Sequence, residues 1–476
     1  MQLYRKILVL IYTGLTLMLL LTFKATPAVW LSFAANALVL FVIFIYHIFY
    51  EKTFSPFLTS FIVFNYLFMF LAPVVQIGSF YEMKDPKFPQ YFPYDEELAI
   101  YANLLIILFN LTFFIAYVLA KRKLKTVHIK YTELKKRFLP VTIFFILVFS
   151  LIIFASTYSV VLDEMIKPYW VKLNVSKLYA LLVNKGLLFL PFAGIVLSKY
   201  YIDKTEKKTY NYYIVFIMMI LFFLILLWFK NPLTEKRNAL GPLYITLIWL
   251  FLPKWLNSNL KMMLFLFLSM VIAFPLMAII THTSFSLLEL IQNPALLLVN
   301  TERESFLHVF HTLHYDAFAN IMATIEYVSE HGITWGKQLA GVLGFFIPRA
   351  IWHGKPTGTG ELIGNYLIDD YHFVYANLSN PLVSEGYINF GILGVFLMAV
   401  LLAYFVRLML SWMNSEHYLK KVLAFYFALH MIFLLRGDLM NGVAYFVGVV
   451  FSVLFLPFFI ERMVFFIYYK SRTNDA

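Results

Sequence analysis

The 476-residue chain contains no cysteine, so no disulfide, thiolate metal site or cysteine nucleophile enters its structure or chemistry. Charged side chains are scarce too, at 13% against 62% hydrophobic residues, which excludes a soluble globular domain. The sequence has no Walker A motif, GxSxG elbow or HExxH pair. ATP-driven and serine-hydrolase chemistry therefore have no residues to carry them. Asp369 and Asp370 are adjacent but lack a third ligand, and no tandem repeat, low-complexity tail or soluble domain interrupts the chain.

What is present is apolar sequence in long runs. A membrane-spanning helix needs about 20 mostly apolar residues. Twelve stretches qualify, near residues 7–23, 28–49, 57–80, 98–120, 138–161, 178–198, 211–229, 239–253, 260–280, 384–410, 418–435 and 441–460. The eighth is short, and Pro242 and Pro253 within it make it the least regular. Only helices or closed barrels satisfy their backbone in lipid, and runs this continuous predict helices. The expectation is an all-α polytopic membrane protein of about twelve transmembrane helices, a single integral domain over residues 1–476. The first run resembles a signal peptide, with Arg5 and Lys6 before it and KATPA at its end. It is expected to stay attached, because many similar spans follow and no exported globular domain does.

Charge placement predicts the orientation. With both termini inside and twelve spans, the inner loops hold 23 of the 38 Lys and Arg but only 7 of the 26 Asp and Glu. The run KRKLKTVHIKYTELKKR, Lys121 to Arg137, dominates and marks the cytoplasmic side. This bias accounts for the net charge of +12, so no nucleic-acid partner is implied. The partner is the lipid bilayer.

Between Thr281 and Ser384, separating the ninth and tenth spans, the sequence changes character. This large outer loop holds seven of the eleven histidines, and eleven of the nineteen glycines fall between Gly332 and Gly394. Within it, ERESFLHVFHTLHYDAFANIMATIEYVSE reads as an amphipathic helix. Phe306, Phe310, Leu313, Ala317, Ile321, Ile325 and Val328 share one face, with His308, His311, Tyr315 and Glu326 opposite. The following WGKQLAGVLGFFIP is too short to span and reads as interfacial or re-entrant.

The loop's most informative motif is PRAIWHGKP, of the form PRxxWxxKP. It sets Arg349 and Lys355 six residues apart across a Pro-to-Pro turn, with Trp352 and His353 between them. An arginine fork grips phosphate oxygens in pairs, and a lysine adds a mobile point charge; the alternative is a loop whose cations snorkel to lipid phosphates. Other outer cations are Arg237 in NPLTEKRNALGP, Arg436 in RGDLMNG and Lys185 in the sixth span. Arg436 either converges with Arg349 and Arg237 on one pyrophosphate or forms an ion pair beside Asp438. Glu385, at the start of the tenth span, is a candidate base or a favourable charge at a helix N-terminus; Asp438, His353, Asp316 and His311 are its rivals. Trp352, Tyr387 and their aromatic neighbours offer faces for sugar rings but are also usual at membrane interfaces. His308, His311 and His314 form HxxHxxH without a completing carboxylate, so no metal site and no cofactor is expected.

FFIPRAIWHGKP, then NPLVSEGYINFGILGVF, then FLLRGDL, resemble the Wzy-type oligosaccharide repeat-unit polymerases of bacteria, over roughly Arg237 to Asp438. The resemblance implies a GT-C-like helical glycosyltransferase of the cytoplasmic membrane. It would join repeat units carried on undecaprenyl pyrophosphate, for O-antigen, capsule or exopolysaccharide. By this likeness Arg349, Lys355 and Arg436 contact the pyrophosphate, with Arg237 a looser match, and Glu385 belongs to the site. Asp438 and His353 are further candidates for catalysis, and Trp352, Tyr387 and His311 for sugar contacts. A flippase that delivers the units and a chain-length regulator are the protein partners such a setting would supply. The alternatives are an O-antigen-type ligase, which would use the same donor, and a lipid-linked oligosaccharide flippase or transporter, whose folds favour two similar halves and charges deep in the spans.

Overall fold

The computed structural model describes residues 2–81, 83–122, 138–166, 183–232, 237–273, 292–293 and 306–474. Among these residues the fold is helical, with no strand beyond one isolated bridge between Lys87 and Pro93. Nine helical segments are long and apolar enough to cross a membrane: Gln2–Thr22, Pro27–Tyr50, Pro56–Phe80, Glu96–Ala120, Leu139–Asp163, Tyr210–Phe229, Leu382–Met413, Tyr418–Arg436 and Leu439–Tyr468. The chain is a multi-pass membrane protein. The other three expected spans appear as shorter helices, Leu190–Lys204, Arg237–Phe251 and Asn259–Leu268. Parts of the sixth and ninth expected spans, 178–182 and 274–280, lie outside the described residues.

Local sequence explains the ends of these helices. Pro27 and Pro56 stand in first turns, where the missing N–H costs nothing and the fixed φ suits a helix. Asp95 caps the fourth long helix by accepting from Leu98 N at 2.8 Å, with Glu96 and Glu97 behind it. Pro253 stops the Arg237–Phe251 helix by holding Leu252 out of helical geometry (φ −124°, ψ 57°).

Cross-links identify which segments share an end of the bundle. At one end Ser55 N donates to Asn259 Oδ1 at 2.9 Å, and the Tyr200 and Tyr418 rings pack at a tilt, 4.9 Å between centroids. At the other, Gln76 Nε2 donates to the carbonyls of Phe310 and Tyr315, and Gln90 Nε2 donates to Asn320 Oδ1 at 3.1 Å. This second end carries most of the 281–384 loop that is described, and one continuous apolar core joins it to the bundle.

The loop departs from the expected amphipathic helix in two ways. Residues Phe306–His311 and Leu313–Tyr315 are separate 3-10 turns, broken at Thr312 in extended geometry. The helix, α1 of the loop, is Ala317–His331, and its first nine residues are all buried. Phe318 packs on Phe33 at 5.4 Å, so α1 is inserted among the spans rather than resting on an interface. Tyr315, expected on the polar face, is 1% exposed. Small and short side chains (Ala317, Ala319, Asn320, Ala323, Thr324) allow neighbours to close on every side. Two further loop helices follow, α2 (Lys337–Leu343) and α3 (Thr359–Tyr371). The tenth expected span begins with α4 (Leu382–Met413), which kinks at Phe390 and Gly391.

Candidate functional site

The PRAIWHGKP turn is braced from within. Lys355 Nζ donates to the carbonyl oxygens of Phe345 at 2.6 Å and Ile347 at 3.0 Å. Arg349 Nη1 donates to the Lys355 carbonyl at 2.6 Å, and Trp352 covers Gly344. Burial and the adjacent Arg349 guanidinium pull the Lys355 ammonium below its usual pKa. The two expected anion-binding cations therefore differ. Lys355 points inward as a strut with one N–H left over, while Arg349 is exposed and keeps most of its donors for solvent or ligand. His353 is exposed beside it.

Immediately after this turn, three sequence segments close on one another. Pro356 packs over Gly341 beside Met440, Gly358 lies against the Asp438 carboxylate, and Gly360 lies against the Leu378 carbonyl. Thr359 Oγ1 donates to Glu385 Oε1 at 2.6 Å, and Leu439 N donates to the same oxygen at 2.8 Å. One carboxylate oxygen thus ties the GTGE turn to the RGDL turn. Gly437, at φ +109°, lies on the backbone of Asn380, an approach closed to any residue with a Cβ. Two of the resemblance-bearing segments and the turn that follows the third, far apart in sequence, form one knot at the loop end of the bundle.

The two carboxylates in this knot differ. Glu385 is 1% exposed, and its Oε2 has no protein partner; neither do Ser384 Oγ and Asn380 Nδ2 close by in sequence. Asp438 is partly exposed and caps the next helix, accepting from Met440 N at 3.0 Å and Asn441 Nδ2 at 2.9 Å. Burial pushes the Asp438 carboxyl above the usual carboxylate range, while its hydrogen bonds and the nearby Lys185 charge pull it back. Lys185 sits in a turn rather than inside a span and donates to Asn441 Oδ1 at 2.6 Å.

Arg436 is committed elsewhere. Its Nη2 donates to the Leu313 carbonyl at 2.8 Å and to Asp316 Oδ1 at 3.0 Å, and Asp316 is 2% exposed. Ser379 Oγ donates to the same Asp316 oxygen at 2.7 Å. The expected ion pair thus exists, with Asp316 rather than Asp438 as partner, because Asp438 faces the helix it caps. This pair anchors the 313–316 turn to the end of the Tyr418–Arg436 helix.

The remaining candidates scatter. Tyr387 turns away from the knot toward Tyr101, hydroxyl to hydroxyl at 3.4 Å. Trp352 is engaged with Gly344, and His311 is half-buried at the end of its 3-10 turn. The break at Thr312 separates His311 from His314, so HxxHxxH no longer shares a helix face. Arg237 opens its helix, and its side chain lies outside the described residues, as does that of His308.

Sequence reading missed Thr359, which supplies the hydroxyl to Glu385, and the cluster in which Tyr366 (2.6 Å) and Tyr371 both donate to Glu326 Oε1. The close spacing of Gly354, Gly358 and Gly360 was the available signal for Thr359.

Comparison with known proteins finds no match. No family model fits this chain, and no curated protein or solved structure matches it. Function is therefore argued from the site itself.

Proposed function

We propose that this chain is a membrane glycosyltransferase that joins oligosaccharide repeat units carried on undecaprenyl pyrophosphate, at the outer face of the bacterial cytoplasmic membrane. The observation that carries this reading is the knot itself. The turn directly after FFIPRAIWHGKP joins the two other segments that resemble the repeat-unit polymerases, around two carboxylates at one end of a membrane bundle, and the motif just before that turn carries an exposed arginine. Positive-inside charge bias assigns that end to the outside. No nucleotide is needed there, because the donor's sugar–pyrophosphate bond provides the leaving group.

In this reading an acceptor hydroxyl oxygen attacks the donor's anomeric carbon, and the bond from that carbon to the pyrophosphate oxygen breaks. The electron pair leaves with the pyrophosphate, and Arg349, fixed by its bond to the Lys355 carbonyl, stabilises the charge that develops. The acceptor's proton passes to Asp438, the more accessible carboxylate, whose raised pKa suits a base. Glu385, fully buried, is a positioning residue that holds the Thr359 and Leu439 turns together. Arg436 and Asp316 anchor the 313–316 turn, and a direct pyrophosphate contact by Arg436 is not needed.

The test is lipid-linked glycan analysis in a strain lacking the gene and supplied with Arg349→Ala on a plasmid. The expected result is accumulation of single repeat units with the variant present in the membrane. A normal ladder of chain lengths from that variant removes Arg349 from the mechanism. Transfer of chains without lengthening by the parent protein would identify a ligase instead.

A further inference from the structure

We infer that residues 333–356 form a foot seated in the surface of the bilayer, holding an anionic lipid leaflet at the site's edge. This rests on the membrane character of the fold and is independent of glycan transfer.

Depth is the first argument. Beyond the kink at Gly391, α4 continues to Met413, about 34 Å at 1.5 Å per residue. That length alone crosses a hydrocarbon core of about 30 Å. Ile388 and Phe390 therefore stand at the core's boundary. Thr334 N donates to the Ile388 carbonyl at 2.9 Å, and Gly336 lies against the Phe390 ring. The foot begins at the level of the lipid surface, not above it in water.

Its exposed side chains fit that level. Trp335, Leu343, Phe346 and Ile351 are 77%, 79%, 62% and 75% exposed among the described residues. A patch of this kind on a water-facing loop would be an aggregation hazard, whereas beside a span it continues the lipid-facing surface. Gly341 packs next to Met440, and the helix that starts there exposes Val447, Phe451, Phe455 and Phe459 further along.

Charge selects the lipid. No acidic residue occurs between Glu330 and Glu361, while Lys337 and Arg349 are both exposed in that interval. An apolar patch flanked only by cations is complementary to anionic headgroups. The next helix, α3, reverses the pattern: Glu361, Asp369 and Asp370 are exposed on it, which suits water. The foot thus sets Arg349 at phosphate depth.

The absence of cysteine makes the test direct, since any introduced cysteine is unique. The full chain, carrying a spin label at Leu343→Cys, Phe346→Cys or Ile351→Cys, is placed in vesicles of phosphatidylcholine with an equal part of phosphatidylglycerol. Glu361→Cys and Asp369→Cys are the water-facing controls. These positions are exposed, so labelling leaves the packing intact. At the three foot positions collisions with oxygen should exceed those with a water-soluble nickel chelate, and the controls should show the reverse. Foot labels that collide mainly with nickel overturn the proposal. In phosphatidylcholine alone the foot should sit shallower, and equal depth in the two vesicle types refutes the role of charge.

Discussion

Replacing Glu385 separates positioning from chemistry. Its Oε1 accepts from both Thr359 and Leu439 in a site 1% exposed. Glu385→Ala leaves two buried donors without an acceptor. Each such orphan costs about 1–3 kcal/mol, so the variant should lose about 2–6 kcal/mol, before any cavity is counted. Glu385→Gln keeps an acceptor oxygen in the same place. It should stay within about 1 kcal/mol of the parent, one neutral hydrogen bond's net worth. Unfolding of purified protein in detergent, followed by helical circular dichroism, measures both, and glycan ladders in complemented cells report activity. The expected pattern is an alanine variant that fails in both assays and a glutamine variant that passes both. A glutamine variant as stable as the parent but unable to extend chains would refute the positioning role and make the carboxylate a reacting group. An alanine variant with parental stability would refute the bridge itself.

Asp316→Ala strands Arg436 without its carboxylate, and breaking a buried pair from one side costs about 3–5 kcal/mol. The double variant Asp316→Ala with Arg436→Met should recover part of that loss in the same unfolding assay; equal losses would show that the pair's charge is not the cause. Asp438 must be ionised to accept a proton, so polymerising activity should rise with pH through a limb lying above the ordinary aspartate value of about 3.9. Asp438→Asn should abolish that limb, and Lys185→Gln should move it to higher pH by removing the charge that favours ionisation; a parent profile without such a limb excludes Asp438 as the base. Gly437→Ala combines a left-handed φ of +109° with a clash on the Asn380 backbone. It should abolish the monodisperse peak in size-exclusion chromatography, and a normal peak would show that this approach is looser than described.

Much of the fold was legible because lipid imposes a single rule, that long apolar runs must be helices. Nine runs emerge as helices of spanning length. The eighth stretch is shorter because Pro253 holds Leu252 out of the helix, whereas Pro242 is accommodated inside it. The loop helix is shorter than the amphipathic pattern predicts, for a different reason. Periodicity places residues 306–328 on two faces, but it does not register that alanines on the second face admit close neighbours. Nor does it register that Thr312 leaves the helix.

The site was half legible. Arg349 and Lys355 were recognisable as a cationic Pro-to-Pro turn, and the structure adds the bonds that brace it. Their division of labour was not visible, because only folding decides which cation meets the carbonyls of Phe345 and Ile347. Arg436 and Asp316 are 120 residues apart, and no local pattern announces their pairing.

Composition and spacing alone determined that this is a helical membrane protein, which connecting segments gather the basic residues, and where the chain ceases to be regular wall. Only the tertiary structure decided that residues 354–361, 379–386 and 436–441 form one knot, that Glu385 is a buried tie and that Arg349 is exposed. The reason is physical. Solvent preference acts on each residue separately and leaves its mark along the chain, whereas hydrogen bonds between distant turns exist only after the backbone has brought donor and acceptor within reach.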